Sequence, residues 1–384
     1  MVDHPLRPSA VVGVVGGGQL ARMMAQAAGP LGIDLRVLGG PSDEGAATVA
    51  PIERGDITDP GTLERFAAAC DVLTFDHELV PIETVRHVEE AGHAVRPGSA
   101  SLRLSDKALL REALAGRFPL PPHTVAHAAS EAVAFGDEHG WPVVVKAARG
   151  GYDGRGVNVA ENAQDVALFM HALDEGVPAV VEPVLDLEAE LAVVVVRRPG
   201  GEMRTYPVVR TIQVDGQCHE VAYPAGVERS VEEAATRLAG EVAETIGAVG
   251  ILAVECFVVD GEVLLNEIAP RPHNSGHWTI DGAVTSQFEN HLRAVLDRPL
   301  GSTEPSWPAV TMLNLIPGDP PADPRDHVAA ALATGAHVHV YDKTPRPGRK
   351  VGHVTATGSD PGAVRAQAIA AAASMGSITA GGSP

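Results

Sequence analysis

The sequence predicts a mixed α/β fold, in which a parallel sheet comes first, an α+β centre with antiparallel strands follows, and a small β-rich tail ends the chain. Three observations lead to this prediction. Strand-like and helix-like runs alternate through the first hundred residues, strand-like runs then follow one another closely, and two short strands precede a final Ala-rich run. Alternation builds parallel sheet with right-handed crossovers, whereas consecutive strands build antiparallel sheet.

Three buried strands are predicted in the first part of the chain. Their apolar runs are AVVGVV at 10–15, DLRVL at 34–38 and DVLTF at 71–75, and the helix-like runs QLARMMAQAAGPLG and PGTLERFAAAC separate them. A shorter run, HAVRP, closes this unit, which we expect to span residues 1–98.

The first strand leads directly into a glycine-rich turn. Gly17 and Gly18 end a triple glycine, and a helix-like run begins with Gln19 and Leu20. Such a turn directs backbone N–H groups and a helix N-terminus at phosphate, and it also occurs in proteins that bind NAD or FAD. A dinucleotide-binding oxidoreductase needs an acid at the end of the second strand, where the nearest is Asp43, so this class is disfavoured.

The centre of the chain, residues 99–298, is expected to form a second unit. Strand-like runs follow one another in WPVVVKA, PAVVEP, EAELAVVVVRR and EMRTYPVVR. A long helix at 231–246 precedes a predicted hairpin, GILAVECFVVD and GEVLLNEIAP, turned at Asp260-Gly261. The Pro-rich piece DRPLGSTEPSWP is the predicted linker to a third unit, residues 299–384, with the strands AHVHVYD and GHVTATG and an Ala-rich helix.

Lys146 ends a buried strand and is followed by the glycine-rich loop RGGYDGRG. Glycines let backbone N–H groups wrap around a polyphosphate, and a lysine adds a point charge, so this stretch predicts a polyphosphate site. It is not a Walker A loop, because the chain contains no Gly-Lys dipeptide. A flexible surface loop is the alternative interpretation.

Glu255 and Glu267 lie inside the two strands of the predicted hairpin. Paired carboxylates on neighbouring strands can hold one or two Mg²⁺ ions that bridge ATP phosphates. A plain two-residue turn would place them on opposite faces of the sheet. We therefore expect an odd-length loop or a β-bulge, the alternative being two solvated glutamates on an edge hairpin.

A polar segment, RPHNSGHW, follows the second strand of the hairpin. Arg271, His273, Asn274 and Ser275 are expected to line a substrate pocket. His273 and His277 have the spacing of a zinc motif, but the glutamate of H-E-x-x-H is replaced by Asn274, so zinc is disfavoured there.

Cations are concentrated in the tail segment YDKTPRPGRKVGH, which contains Lys343, Arg349 and Lys350. In a chain of net charge −20 this predicts an anion site, plausibly for a phosphate monoester, and a solvated basic turn is the alternative. The chain has only four lysines, the others being Lys107 and Lys146, so each one merits attention.

The acidic balance disfavours nucleic acid and anionic membranes as partners. The longest apolar runs are far shorter than a membrane span requires, and the N-terminal residues lack a signal-peptide pattern. Three widely separated cysteines fit reduced thiols, and a cytoplasmic location is expected.

Taken in order, GGGQL, LSDK, VVKAARGGYDGRG, VVEP, ECF, NEIAPRPHNSGHW and RPGRKVGH resemble the ATP-grasp ligases, and among them the N5-carboxyaminoimidazole ribonucleotide synthases. The resemblance runs from about Ala10 to Met375. It implies an N-terminal parallel-sheet domain, a two-lobed ATP-grasp domain with a lid lobe at about 123–182, and a small C-terminal domain. It also implies ATP and Mg²⁺ as cofactors, 5-aminoimidazole ribonucleotide and bicarbonate as substrates, and a homodimer.

The resemblance assigns roles by position. Contacts to ATP are expected from Arg103, Lys146, Gly151, Tyr152, Asp153, Gly154, Arg155, Gly156, Val157, Glu182, Pro183, Val184, Leu185, Glu190, Gln213, Asn266 and Glu267, with Glu255 and Glu267 on the metal. Contacts to the ribonucleotide are expected from Gly17, Gly18, Gln19, Leu20, Asp76, Glu78, Asn274, Ser275, Lys343, Arg349 and Lys350. The groups expected to act on bicarbonate and the reacting amine are Tyr152, Arg155, Arg271, His273 and Glu78.

Three positions depart from the family pattern: Asp76 stands where glutamate is more frequent, Leu79 replaces a polar residue, and Gln213 replaces a frequent histidine. The shorter acid at Asp76 makes Glu78 the better candidate for contact with the imidazole. A sister ATP-grasp ligase that transfers formate to glycinamide ribonucleotide is the nearest alternative, and a dinucleotide-binding oxidoreductase is a remote one.

Overall fold

In the computed structural model the described residues are 9–41, 43–151 and 156–377, and they form three β-sheets flanked by helices. None of the helices among them is long and apolar enough to cross a lipid bilayer. The mixed α/β class is confirmed, with a parallel N-terminal sheet, antiparallel strands in the centre and β-rich C-terminal strands.

The N-terminal unit is a four-stranded parallel sheet in the order β3-β2-β1-β4. The strand predicted at 10–15 lies between two parallel neighbours, and its Val14 is opposite Val37 of one and Thr74 of the other. Its elements are β1 (Val11–Val15), α1 (Gln19–Ala28), β2 (Asp34–Gly39), β3 (Ile52–Arg54), α2 (Pro60–Ala67), β4 (Val72–Phe75) and α3 (Ile82–Glu90). The short edge strand β3 was not predicted.

Two short helices lead into a separate four-stranded antiparallel sheet, which we call the lid sheet and whose order is β5-β8-β6-β7. These elements are α4 (Ser99–Leu102), α5 (Lys107–Leu114), β5 (Thr124–Ala126), α6 (Ala129–His139), β6 (Val143–Ala147), β7 (Val157–Ala160), α7 (Ala163–Ala172) and β8 (Ala179–Pro183). Helices α6 and α7 contribute to the core of this sheet.

The remaining strands share one large sheet. Its elements and the helices between them are β9 (Ala189–Arg197), β10 (Met203–Thr205), β11 (Val209–Val214), β12 (Gln217–Tyr223), α8 (Arg229–Ile246), β13 (Gly250–Val259), β14 (Glu262–Ala269), α9 (Thr279–Gly282), α10 (Gln287–Val295), β15 (Ala309–Leu315), α11 (Val328–Leu332), β16 (His337–Val340), β17 (Gly352–Gly358) and α12 (Pro361–Ser374). Its order is β14-β13-β9-β11-β12-β15-β17-β16, with β10 beside β9.

The run EMRTYPVVR, predicted as one strand, is two strands with an interruption at Pro207. Thr205 pairs with Val195 while Val209 pairs with Ala192, so one extra residue enters the ladder between them. Proline lacks the N–H that a ladder needs, which accounts for the break at this point.

Strand β15 was also missed, although all seven of its residues are buried. It pairs with β12 at Glu220–Leu313 and with β17 at Thr311–Ala356. The C-terminal strands therefore extend the central sheet. The boundaries at residues 98 and 298 stay predictions.

Helix α8 covers one face of the large sheet, where Leu252, Val254 and Cys256 of β13 point into its core. The alternate residues Ile251 and Ala253 belong to the core on the opposite face. Glu255 lies on this second face, in line with Ile251 and Ala253, because side chains alternate along a strand.

Candidate active site

Lys146 and Glu182 bring the lid sheet to the large sheet. Lys146 Nζ lies 2.6 Å from Glu182 Oε2 and donates to Asn266 Oδ1 at 3.1 Å. Arg111 Nη2 donates to Glu182 Oε1 at 2.5 Å, and Arg111 Nη1 donates to the Asn266 carbonyl at 2.7 Å. The Glu182 carboxylate is thus paired with two buried cations. Lys146 reaches it from β6, which pairs with β8, and Arg111 reaches it from α5.

The two glutamates that were predicted to hold a metal face each other. Glu255 of β13 pairs directly with Glu267 of β14, while Cys256 pairs with Leu265, so Asn266 is the extra residue of a β-bulge. The predicted bulge is confirmed. It shifts the alternation of β14, because Val263 and Leu265 point to the core before it and Ile268 does so after it. The side chains of Asn266 and Glu267 therefore reach the site, where they contact Lys146 and Lys107.

Lys107, at the start of α5, completes this charge arrangement. Its Nζ lies 2.7 Å from Glu267 Oε2. Lys107 lowers the pKa of Glu267 to about 2, whereas burial and the charge of Glu267 raise the pKa of Glu255 well above its ordinary value. Two opposed carboxylates of this kind repel each other, and carboxylate oxygens are the ligands that Mg²⁺ prefers, so the pair fits a divalent cation.

Sequence reasoning assigned no role to Lys107 or Arg111. The scarcity of lysine was the only sign for Lys107, and nothing in the sequence distinguished Arg111 from the other arginines. Arg103, the predicted phosphate contact, is exposed in the turn before α5, and its contact stays a prediction.

The polar segment after β14 lies beside the glutamate pair. Arg271 Nε is 2.7 Å from Glu78 Oε1, which joins this segment to the N-terminal unit. His273 Nδ1 is 2.9 Å from Ser275 Oγ and 3.8 Å from Glu255 Oε1. Asn274 exchanges side-chain hydrogen bonds with Asn314 of β15. The structure therefore places Arg271 beside Glu78 and His273 beside Glu255, and their roles at the reacting groups stay predictions.

Gln287, the first residue of α10, holds this segment in place and was not predicted. Its Oε1 accepts from the His273 backbone N–H at 3.0 Å, and its Nε2 donates to the His273 carbonyl at 2.7 Å. A Cβ at Gly276 would collide with the same amide. The side chain is fully buried, so its two bonds fix the path of the loop without exposure to water.

The glycine-rich turn is closed by two carboxylates. Gly17 N–H donates to Asp43 Oδ2 at 3.0 Å, and Asp76 accepts from Gly18 N–H and Ala21 N–H at 2.8 Å each. The expectation that the Gly17 and Gly18 amides point at an open phosphate pocket is therefore corrected. Asp76 caps α1 from the end of β4, since a carboxylate there satisfies orphan N–H groups of the helix.

Gln19 connects this turn with the basic segment of the tail. Lys343 Nζ donates to Gln19 Oε1, and Arg349 Nη1 lies 3.5 Å from Glu44 Oε2. Lys350 is buried. Gln19 and Lys343 are thus in contact although more than three hundred residues separate them in the sequence. Phosphate binding by Gln19, Leu20, Lys343, Arg349 and Lys350 stays a prediction.

The residues expected around adenosine lie at the end of β8 and on β9 and β11. Val184 is exposed, and Pro183 and Leu185 are half-buried. Gln213 donates a hydrogen bond to Glu190, and burial raises the pKa of the Glu190 carboxyl. The Glu182 carboxylate is held by Lys146 and Arg111, so an adenosine contact through its side chain would compete with those cations.

Of the glycine-rich loop, Gly151, Gly156 and Val157 are described, and Val157 begins β7 opposite Lys146. Tyr152, Asp153, Gly154 and Arg155 lie outside the described residues, so their roles stay predictions.

Three family models match this chain in succession. They are the ribonucleotide synthetase preATP-grasp domain at residues 9–106, the ATP-grasp domain at 112–288 and the phosphoribosylaminoimidazole carboxylase C-terminal domain at 310–367. Together the matches run from residue 9 to residue 367, close to the span from about Ala10 to Met375 that the motifs indicated.

Curated and solved proteins are similar over nearly the whole chain. The N5-carboxyaminoimidazole ribonucleotide synthase of Mycobacterium tuberculosis is 47% identical over 360 residues, which cover 91% of this chain and 84% of the relative. The crystal structure of the synthetase from Thermus thermophilus has 35% identity and a TM-score of 0.82, with 94% and 97% of the two chains covered.

A synthase from Aspergillus clavatus, crystallised with ADP and 5-aminoimidazole ribonucleotide, has 30% identity and a TM-score of 0.86, with 96% and 98% of the chains covered. Identity at this level over this length establishes common descent. The chain belongs to the N5-carboxyaminoimidazole ribonucleotide synthase family of ATP-grasp enzymes.

Proposed function

We propose that this chain uses ATP to join the carbon of bicarbonate to the exocyclic amine of 5-aminoimidazole ribonucleotide. The products are N5-carboxyaminoimidazole ribonucleotide, ADP and phosphate. The observation that carries the proposal is the bulge at Asn266, which places the facing pair Glu255 and Glu267 within reach of Lys107 and Lys146. Cations and facing carboxylates around one point suit the triphosphate of ATP.

Glu255 and Glu267 would hold Mg²⁺, which when bound neutralises charge on the ATP phosphates. Burial and the charge of Glu267 raise the pKa of Glu255, so a cation bound to the pair would favour its charged form. Lys107 and Lys146 add fixed positive charge beside it. These residues position the terminal phosphoryl group for transfer to bicarbonate.

Bicarbonate is a poor electrophile, and its phosphorylation gives carboxyphosphate, which releases CO₂ next to the amine. Water would destroy such an intermediate, so a cover over the site is required. The loop from Gly151 to Val157 is the proposed cover, and Tyr152 and Arg155 within it would face bicarbonate.

Arg271 and His273 are proposed to act at the reacting groups. The Arg271 guanidinium lies beside Glu78 and suits an anionic intermediate. His273 is the proposed acceptor of the amine proton, because the Glu78 carboxylate is already held by Arg271 at 2.7 Å. Asn274 and Ser275 line the same pocket.

The ribonucleotide phosphate is proposed to bind where Gln19 meets Lys343. Arg349 and the buried Lys350 lie in the same tail segment and add charge there. Three cationic side chains and one amide suit a phosphate dianion. We further propose that the chain is a homodimer and acts in the cytoplasm, as the family resemblance implies.

A coupled assay of ADP release tests the function. The purified chain is given ATP and Mg²⁺ with 5-aminoimidazole ribonucleotide in buffer either depleted of or supplied with bicarbonate. A matched reaction contains glycinamide ribonucleotide and formate. We expect turnover that needs bicarbonate and 5-aminoimidazole ribonucleotide. Turnover that needs formate instead would assign the chain to the sister ligases.

A further inference from the structure

Histidines gather in the C-terminal strands, on elements other than those that carry the glutamate pair. His339 of β16 and His353 of β17 are directly opposed, and their rings stack with centroids 4.4 Å apart. Asp281 of α9 faces them, with Oδ2 2.8 Å from His339 Nε2. One ligand atom each from Asp281, His339 and His353 lies within 4.8 Å of the others, and we call this set the His–Asp cluster.

His353 provides an independent sign that the His–Asp cluster has a ligand. Its ring is fully buried, its Nδ1 is bonded to the Tyr341 hydroxyl at 2.7 Å, and its Nε2 has no hydrogen-bond partner. A buried polar atom without a partner loses its bonds to water and gains none in return, so native structures rarely leave one. An imidazole that binds a metal through one nitrogen needs an acceptor for the N–H of the other, and the Tyr341 hydroxyl oxygen lies in that position.

The chemistry of the His–Asp cluster selects the class of ion. Two imidazoles and a carboxylate suit Zn²⁺ and similar divalent transition ions, whereas Mg²⁺ takes oxygen ligands. Ligand atoms of a tetrahedral zinc site are about 3.4 Å apart, so small side-chain rotations would close the cluster on an ion. Burial lowers the pKa of His353 well below its ordinary value, which keeps the imidazole in the neutral form that binds metals.

We propose that Asp281, His339 and His353 form a binding site for a divalent transition ion of the Zn²⁺ class. His337 is the candidate for a fourth ligand, because its Nδ1 lies 3.5 Å from Asp281 Oδ1 and it alternates onto the same side of β16 as His339. Asp281 comes shortly after the polar segment of the active site. His339 comes just before the basic tail segment, and His353 is its last residue. The ion therefore joins the two segments that are proposed to contact the ribonucleotide.

Calorimetry on the full-length chain tests this site. The protein is treated with EDTA, desalted, and titrated with ZnCl₂ in excess MgCl₂, which occupies the carboxylate pair Glu255 and Glu267. We expect one Zn²⁺ per chain and a higher thermal midpoint with Zn²⁺. His339→Gln and Asp281→Asn should each weaken binding at least 10-fold and remove the thermal shift.

The matched control is His87→Gln, because His87 is an exposed histidine paired with Glu64 at 2.8 Å, away from the His–Asp cluster. It should bind Zn²⁺ as the wild type does. Co²⁺ gives a second readout, since ligation by histidine in a tetrahedral site produces visible absorption bands without any variant. The proposal is overturned if the wild type binds no stoichiometric Zn²⁺, if Co²⁺ gives no such bands, or if His339→Gln binds as tightly as the wild type.

Discussion

Glu267 shows how much of the site depends on one side chain. It faces Glu255 across the hairpin, and its Oε2 lies 2.7 Å from Lys107 Nζ. Counting register from Asp260-Gly261 alone pairs Glu255 with Asn266, so the position of Glu267 opposite Glu255 could be predicted only together with the bulge that a shared carboxylate site requires. The partner Lys107 could not, because an ion pair between residues 160 positions apart depends on where α5 packs and leaves no local pattern in the sequence.

Glu267→Gln should reduce ATP turnover about 100-fold or more, since the amide keeps the size of the side chain but removes a charged metal ligand. The control is Glu262→Gln, which changes an exposed glutamate at the start of the same strand. The measurement is the rate of ADP release with both variants folded by circular dichroism. A near-normal rate for Glu267→Gln contradicts the metal assignment.

At the scale of elements, two features determine the shape of the site. One is the bulge at Asn266, and the other is the pair of hydrogen bonds from Gln287 to the His273 backbone, which we call the clamp. The bulge was predictable, because the hydrophobic pattern of β14 places Val263 and Ile268 on the same side although they are an odd number of residues apart. The clamp by Gln287 was not, because it joins a helix start to a loop fourteen residues earlier through backbone atoms, which carry no sequence signal.

Gln287→Met should lower the free energy of unfolding by about 2–4 kcal/mol, because two buried backbone groups of His273 lose their partners. It should also raise KM for 5-aminoimidazole ribonucleotide, since the loop holding His273 loses its support. Urea unfolding and steady-state kinetics measure the two effects. Gln164→Met, at an exposed site near the start of α7, should change stability by no more than about 0.5 kcal/mol. Equal stability of the two variants contradicts the clamp.

At the scale of the whole molecule, contacts between the two ends of the chain bring together the residues proposed to bind the ribonucleotide phosphate, which we call the acceptor pocket. The alternating pattern predicted the parallel sheet, and the basic tail predicted an anion site. Neither pattern predicted that β15 joins the C-terminal strands to the central sheet, because its apolar run directly follows a Pro-rich stretch that was interpreted as a linker. The capping of the glycine turn by Asp43 and Asp76 likewise depends on loop paths that composition does not encode.

Lys343→Ala should raise KM for 5-aminoimidazole ribonucleotide about 10-fold or more and leave KM for ATP unchanged. The reason is that Lys343 contacts Gln19 at the proposed phosphate pocket. The residues proposed to bind ATP and its metal lie elsewhere, on β6, β13 and β14. Arg229→Ala, which removes a cation with a 90% exposed side chain at the start of α8, is the control. A rise in KM for ATP in Lys343→Ala would refute the division of binding between the two regions.

The continuity of the large sheet also determines which parts can move. Ladder hydrogen bonds run without interruption from β14 to β16, whereas the lid sheet forms no ladder with them among the described residues. A motion that keeps every ladder intact can lift the lid sheet from the nucleotide, but it cannot separate the C-terminal strands from β12. In any such motion the C-terminal strands that flank the basic tail segment therefore keep a fixed position relative to the strands that carry Glu255 and Glu267.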